Sequence, residues 1–156
     1  MHVPDFQASI EAALSGSDEP HLRALEAIAH HFSAATATLH TSDAATATLR
    51  LVASLGLPEK IRQISATIPF GKGMAGICAE RREPVTVCNL QTDCSGVARP
   101  AAKETGVAGA IVMPILSSEG VLLGTLGLGR TDAHEYTREE TETLASCARL
   151  LASRLS

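Results

Sequence analysis

Tryptophan is absent from this 156-residue chain, and three Phe with one Tyr make up an aromatic share of only 3%. So few rings leave little on which nucleic-acid bases or a large planar pigment could stack. Thirteen basic residues stand against seventeen acidic ones, for a formal net charge of −4, and the basic ones form no run or stripe. Such a chain lacks the electrostatic footprint of a nucleic-acid binder. No apolar run approaches the roughly 18–20 residues that cross a bilayer, so no membrane association is expected. The opening stretch MHVPDFQASIEAAL has neither the basic n-region nor the apolar h-region of a signal peptide. Four cysteines, Cys78, Cys88, Cys94 and Cys147, form no C-x-x-C pair. A structural zinc site is therefore not expected, nor any other metal, and reduced thiols in a cytoplasmic protein are. No internal repeat or low-complexity linker interrupts the chain.

What is present suits one soluble α+β domain with a real core: 45% apolar and 19% charged residues. A helix is expected over 4–15, with Phe6, Ile10, Ala13 and Leu14 on one side. SGSDEP breaks it, and Ser17 or Asp18 is placed to cap a second helix over about 19–33. Residues 1–18 are thus an N-terminal helical extension, and 19–156 a single domain. ATATLH and ATATLRLVASLG alternate as a β-hairpin would, with Asp43 in the turn. LPEKIRQI is a connector with one helical turn, and SATIPF is a short strand with Ile68 and Phe70 facing opposite ways. PVTVCN is another short strand, and RPAAKETG one or two helical turns ending at Gly106. AGAIVMPILSS and VLLGTLGLGR form a second hairpin around SEG, with Gly120 at the end of its turn. The closing helix carries Leu144, Cys147, Ala148, Leu151 and Leu155 on one stripe, and Thr137 with Glu140 spells a capping box.

Within FGKGMAG, residues Gly71, Gly73 and Gly76 spell G-x-G-x-x-G, the pattern of a dinucleotide loop. Its surroundings refuse that reading. The preceding strand carries Pro69, where a buried parallel strand is needed. The following helix stops after about nine residues, and the next strand ends in Cys88-Asn89 where a ribose-binding acid belongs. The glycines are better read structurally, and no dinucleotide is expected. Gly71 and Gly73 supply positive φ in a sharp strand-to-helix turn, and Gly76 allows close helix–sheet packing.

IPFGKGMAGICAERREPVTVCNL, then a variable loop, then GAIVMPILSSEGVLLGTLGL, then YTREETETLASCARLLASRL, resembles a GAF domain over about residues 20–156. The resemblance implies a PAS/profilin-like, six-stranded antiparallel sheet with helices on both faces. One face would carry the first and last helices. The other would hold a small-molecule pocket roofed by about 88–107. It also implies a regulatory ligand-binding sensor more often than an enzyme. The cyclic-nucleotide signature is missing apart from a faint echo at Tyr136-Thr-Arg-Glu139-Glu140, and Cys94 is followed by Ser95 rather than the His of bilin-binding members. A haem-binding member would need a pocket His, for which His40, at the end of a strand, is the candidate.

Free methionine-(R)-sulfoxide reductases share the size of this chain, and a thiol enzyme of that kind is the alternative reading. Its thiolate and resolving thiol would fall at Ala75 and within ARPAAKETG, where this chain has no cysteine. The expected ligand-binding residues are Cys88, Asn89, Asp93, Cys94 and Arg99 of the variable segment. Ala110, Val112 and Met113 would form the pocket floor, with Thr125 opposite. Arg99 would suit an anion, Cys88 and Cys94 could pair as redox thiols, and Asn89 and Asp93 could simply hold the loop. The small apolar floor points to a compact ligand rather than a large pigment, and a small metabolite or anion is expected. The terminal helices are expected to form a homodimer or to engage a signalling partner.

Overall fold

A computed structural model describes residues 3–16, 18–92 and 106–155. The elements run α1 (Val3–Ser15), α2 (Pro20–His31), β1 (Thr36–Asp43), β2 (Thr48–Leu55), α3 (Glu59–Ile64), β3 (Thr67–Pro69), α4 (Gly73–Arg81), β4 (Val85–Val87), β5 (Ala110–Leu116), β6 (Leu122–Gly129) and α5 (Arg138–Leu155). The six strands form one sheet in the order β3-β2-β1-β6-β5-β4, and every neighbouring pair is antiparallel. The two hairpins meet along β1 and β6, which places the strands of alternating sequence at the centre of the sheet.

Alternation then sorts side chains to the two faces. Ala37 and Leu39 of β1, Ile111, Met113 and Ile115 of β5, and Leu126 and Leu128 of β6 join one core with α1, α2 and α5. Phe6, Ile10, Leu25, Ile28, Leu144 and Leu151 cover them from the helix side. Thr36, Thr38 and His40 belong to the opposite face, where α3 and α4 lie. A β-bulge between Leu39 and His40 shifts the β1–β2 register there.

Local chemistry explains the element ends. At α5 the capping box is complete: Glu140 N–H donates to Thr137 Oγ1 at 3.1 Å, and Thr137 N–H to Glu140 Oε1 at 2.9 Å. α2 departs from expectation. Its N-cap is Glu19 in the left-handed region with no side-chain cap. Asp18 lies 3.5 Å from Arg23 instead, and Ser17 is outside the described residues. Asp43 closes β1 rather than occupying the turn, and its Oδ1 accepts the Ala45 N–H at 3.1 Å. Ile68 and Phe70 do not face opposite ways. Two residues apart on an extended chain, they join the same small cluster with Leu49 and Ala79.

Candidate functional site

On the face away from α1, α2 and α5, the sheet is only partly filled. Met74 and Cys78 of α4 pack with Val85, Val87, Leu90, Val107, Ala110 and Val112. Between this cluster and α3 lies a chamber of about 160 Å³. Its floor is the middle of the sheet: Thr36, Thr38 and His40 from β1, Gly127 and Gly129 from β6, and Ala110 and Val112 from β5. Leu57, Ile61, Ile64 and Ile68 form one wall, and Lys72 to Ala75 of the glycine turn form another.

The two floor glycines keep the chamber's base open. A Cβ at Gly127 would come within 2.6 Å of Thr38 Oγ1, and one at Gly129 within 2.7 Å of Val107 Cγ1. Small residues here alternate with Leu126 and Leu128, which serve the helical core behind. The glycine turn shapes the wall. Gly71 (φ 85°) and Gly73 (φ 65°) hold left-handed backbone, and the Gly71 N–H donates to Gly76 O at 2.8 Å.

Polar groups in the chamber are few. Lys72, exposed, is the one cation of its lining among the described residues. His40 is 2% exposed, and its Nε2 lies 2.8 Å from Ser65 O. Burial lowers the His40 pKa, partly opposed by that bond, so the ring is neutral at physiological pH. A carbonyl only accepts, so Nε2 carries the proton and Nδ1 is a bare acceptor. Among the described residues Nδ1 has no partner, and neither does Oγ1 of Thr125, the residue directly opposite on β6.

The expected site residues scatter. Ala110 and Val112 line the chamber. Met113 does not: the next residue of an extended strand points to the other face, and its side chain is buried in the helical core. Thr125 is buried beside His40 but is not among the lining residues. Asn89 Oδ1 accepts the Gln91 N–H at 3.0 Å, which makes it a loop-holding residue. Cys88 is exposed, and its carbonyl accepts the His134 N–H at 3.0 Å. Asp93, Cys94 and Arg99, with the expected helical turns before Gly106, lie outside the described residues. The ends of that segment are drawn together, however, by Leu90 N–H to Ala108 O at 2.7 Å and Gln91 Nε2 to Val107 O at 2.8 Å. His40 lies within β1, not at a strand end, and its Nε2 is already committed to Ser65.

His40 was anticipated only as the pocket histidine a haem-binding member would need, and Thr36, Thr38, Gly127 and Gly129 were not anticipated as lining. The signal was available. ATATLH and LGLG each alternate one residue class with another, and one class in each had to face away from the helices.

A model of the GAF domain family matches residues 22–156. The chain belongs to the GAF domain family. Solved structures agree on the fold. The GAF domain of a phosphoenolpyruvate-protein phosphotransferase from Coxiella burnetii is 23% identical, with a TM-score of 0.81 over 97% of this chain and 90% of that one. The corresponding domain from Acinetobacter is 14% identical, with a TM-score of 0.79 over 98% and 92%. A free methionine-R-sulfoxide reductase from Neisseria meningitidis, in complex with its substrate, is 18% identical, with a TM-score of 0.76 over 98% and 89%. No curated protein sequence matches the chain.

In this GAF domain the described cysteines differ sharply. Cys78 Sγ donates to Val112 O at 3.6 Å, and burial pushes the thiols of Cys78 and Cys147 up to about 12. Thiolate is the reactive form. Iodoacetamide at pH 8 is therefore expected to label Cys88 while sparing Cys78 and Cys147 in the folded protein. Peptide mass spectrometry reads this directly, and rapid labelling of Cys78 would contradict the burial described. No helix among the described residues is long and apolar enough to cross a membrane.

Proposed function

We propose that this protein is a cytoplasmic ligand-sensing GAF domain that binds a small metabolite in the chamber between the sheet and α3–α4. The observation that carries this reading is the chamber itself: about 160 Å³ of space, walled mainly by apolar side chains and with two glycines in its floor. Cores normally fill such space, and a volume of this size suits a ligand of about six to eight non-hydrogen atoms, since a cavity of about 150 Å³ accepts benzene. Lys72 at the rim offers a charge to an anionic end of the ligand. Occupancy would bias contacts of α1 and α5 with a partner protein or a second copy.

The decisive experiment is native mass spectrometry of protein taken gently from cells, with thermal-shift screening of small metabolites. A bound mass that also raises Tm is expected. Finding neither across a broad library would overturn the sensor reading.

Likeness to the sulfoxide reductase fold supports a second reading, a thiol enzyme. Ala75 is in the chamber wall where the resemblance would place a cysteine, and the thiols of Cys78 and Cys147 are held protonated. The sensor reading predicts no turnover of free methionine sulfoxide. Turnover lost in Cys88→Ser or Cys94→Ser would establish the enzyme instead.

A further inference from the structure

Resting on the chamber as a ligand site, we infer that His40 is its recognition residue and that the ligand carries a neutral hydrogen-bond donor, a hydroxyl or an N–H, on its buried end. Three observations meet at this ring. Its side chain lines the chamber and is 2% exposed. Its Nε2–H is fixed on Ser65 O at 2.8 Å, across a separation of 25 residues. Among the described residues its Nδ1 has no partner, and Thr125 Oγ1, directly across the β1–β6 pair, has none either.

A buried polar atom left unpaired costs far more than a paired one gains, so an orphan acceptor in a chamber walled mainly by apolar side chains discriminates among ligands. A carboxylate presented to Nδ1 would set lone pair against lone pair. An apolar end would leave Nδ1 unsatisfied. A hydroxyl or N–H satisfies it. The carbonyl of Ser65 acts as a positioning group, because it selects the tautomer that leaves Nδ1 bare. Ser65 follows α3 directly, so the same ring ties the chamber floor to the wall that α3 provides.

Phenol and toluene make a matched pair of probes, alike in shape and differing by hydroxyl against methyl. Their affinities for the full chain would be measured by NMR titration, with the His40 ring nitrogens observed directly. Phenol is expected to move the Nδ1 resonance while Nε2 stays protonated. In His40→Gln the amide N–H can keep the Ser65 bond while the Nδ1 acceptor is gone. The phenol-to-toluene affinity ratio is expected to fall about tenfold in that variant, the size of one buried hydrogen bond's loss. If the variant fails to fold, the nitrogen resonances of the unaltered protein decide alone.

An unprotonated Nε2, or an Nδ1 resonance unmoved by bound phenol, would overturn the inference. Equal binding of both probes with an unchanged ratio in His40→Gln would overturn it too, while leaving the chamber as a site. Binding of neither probe would overturn the inference and count against the chamber as well.

Discussion

Phe6→Ala is expected to destabilise the protein by about 3–5 kcal/mol, the cost of emptying a large aromatic site in a core. Phe6 is 1% exposed. Its ring stacks on His31 with centroids 3.9 Å apart and meets Phe32 edge-on at 6.2 Å. Ile10 and Leu14, one turn and two turns on, are buried in the same cluster. α1 thus contributes to the helical core although the family match begins only at residue 22. Urea unfolding measures the loss, and a change below about 1 kcal/mol would mean that α1 is a detachable extension. A second readout is specific to the stack. Burial lowers the His31 pKa, so removing Phe6 should let it rise toward its ordinary value. The sign of the linkage follows. A histidine whose folded pKa is depressed takes up its proton more readily in the unfolded chain, so stability falls as pH drops through the ordinary histidine range. His31 and His40 act in the same direction there, and Phe6→Ala should flatten the part due to His31.

Gly76→Ala is expected to cost about 1–3 kcal/mol, the usual penalty of overpacking, despite alanine's better helix propensity. The reason is backbone against backbone. A Cβ at Gly76 falls onto Pro69 O, with Gly71 N at 3.2 Å. Pro69 and Gly71 belong to the strand end and turn that feed α4, so neither can yield without moving the chamber wall. For a domain of this length each kcal/mol corresponds to roughly 2–4 °C in Tm. Calorimetry should therefore find Tm lower by several degrees, and any rise in Tm would refute the packing role assigned to this glycine. Gly120→Ala is a useful contrast, since no atom lies within 4 Å of its added Cβ and only its φ of 81° opposes the change.

Much of this architecture was legible because its signals are local. Capping at Thr137 and Glu140 needs only four residues, and the two hairpins need only alternation and a turn. The glycine triplet illustrates the limit of pattern alone, since its spacing fits a phosphate loop and only the neighbouring strands and short helix point elsewhere. The site was harder. Ala110 and Val112 were legible as cavity floor, yet Met113 between Val112 and Pro114 was not separable until its strand's phase was known. His40 was legible as a candidate pocket histidine, but its tautomer was not, because that depends on a carbonyl 25 residues away. Asn89 was legible in both of its readings, and the bond to Gln91 shows it holding the loop.

The chamber floor and the helical core share the same strands, one residue apart. Thr38 faces the chamber and Leu39 the helices; Gly127 faces the chamber and Leu128 the helices. A partition one sheet thick separates the chamber from α5. A molecule pressing on Thr38 or Gly127 therefore pushes on a diaphragm whose far side already bears Leu144 and Leu151. No long relay through the protein is required for the interior to be felt at the outer helices.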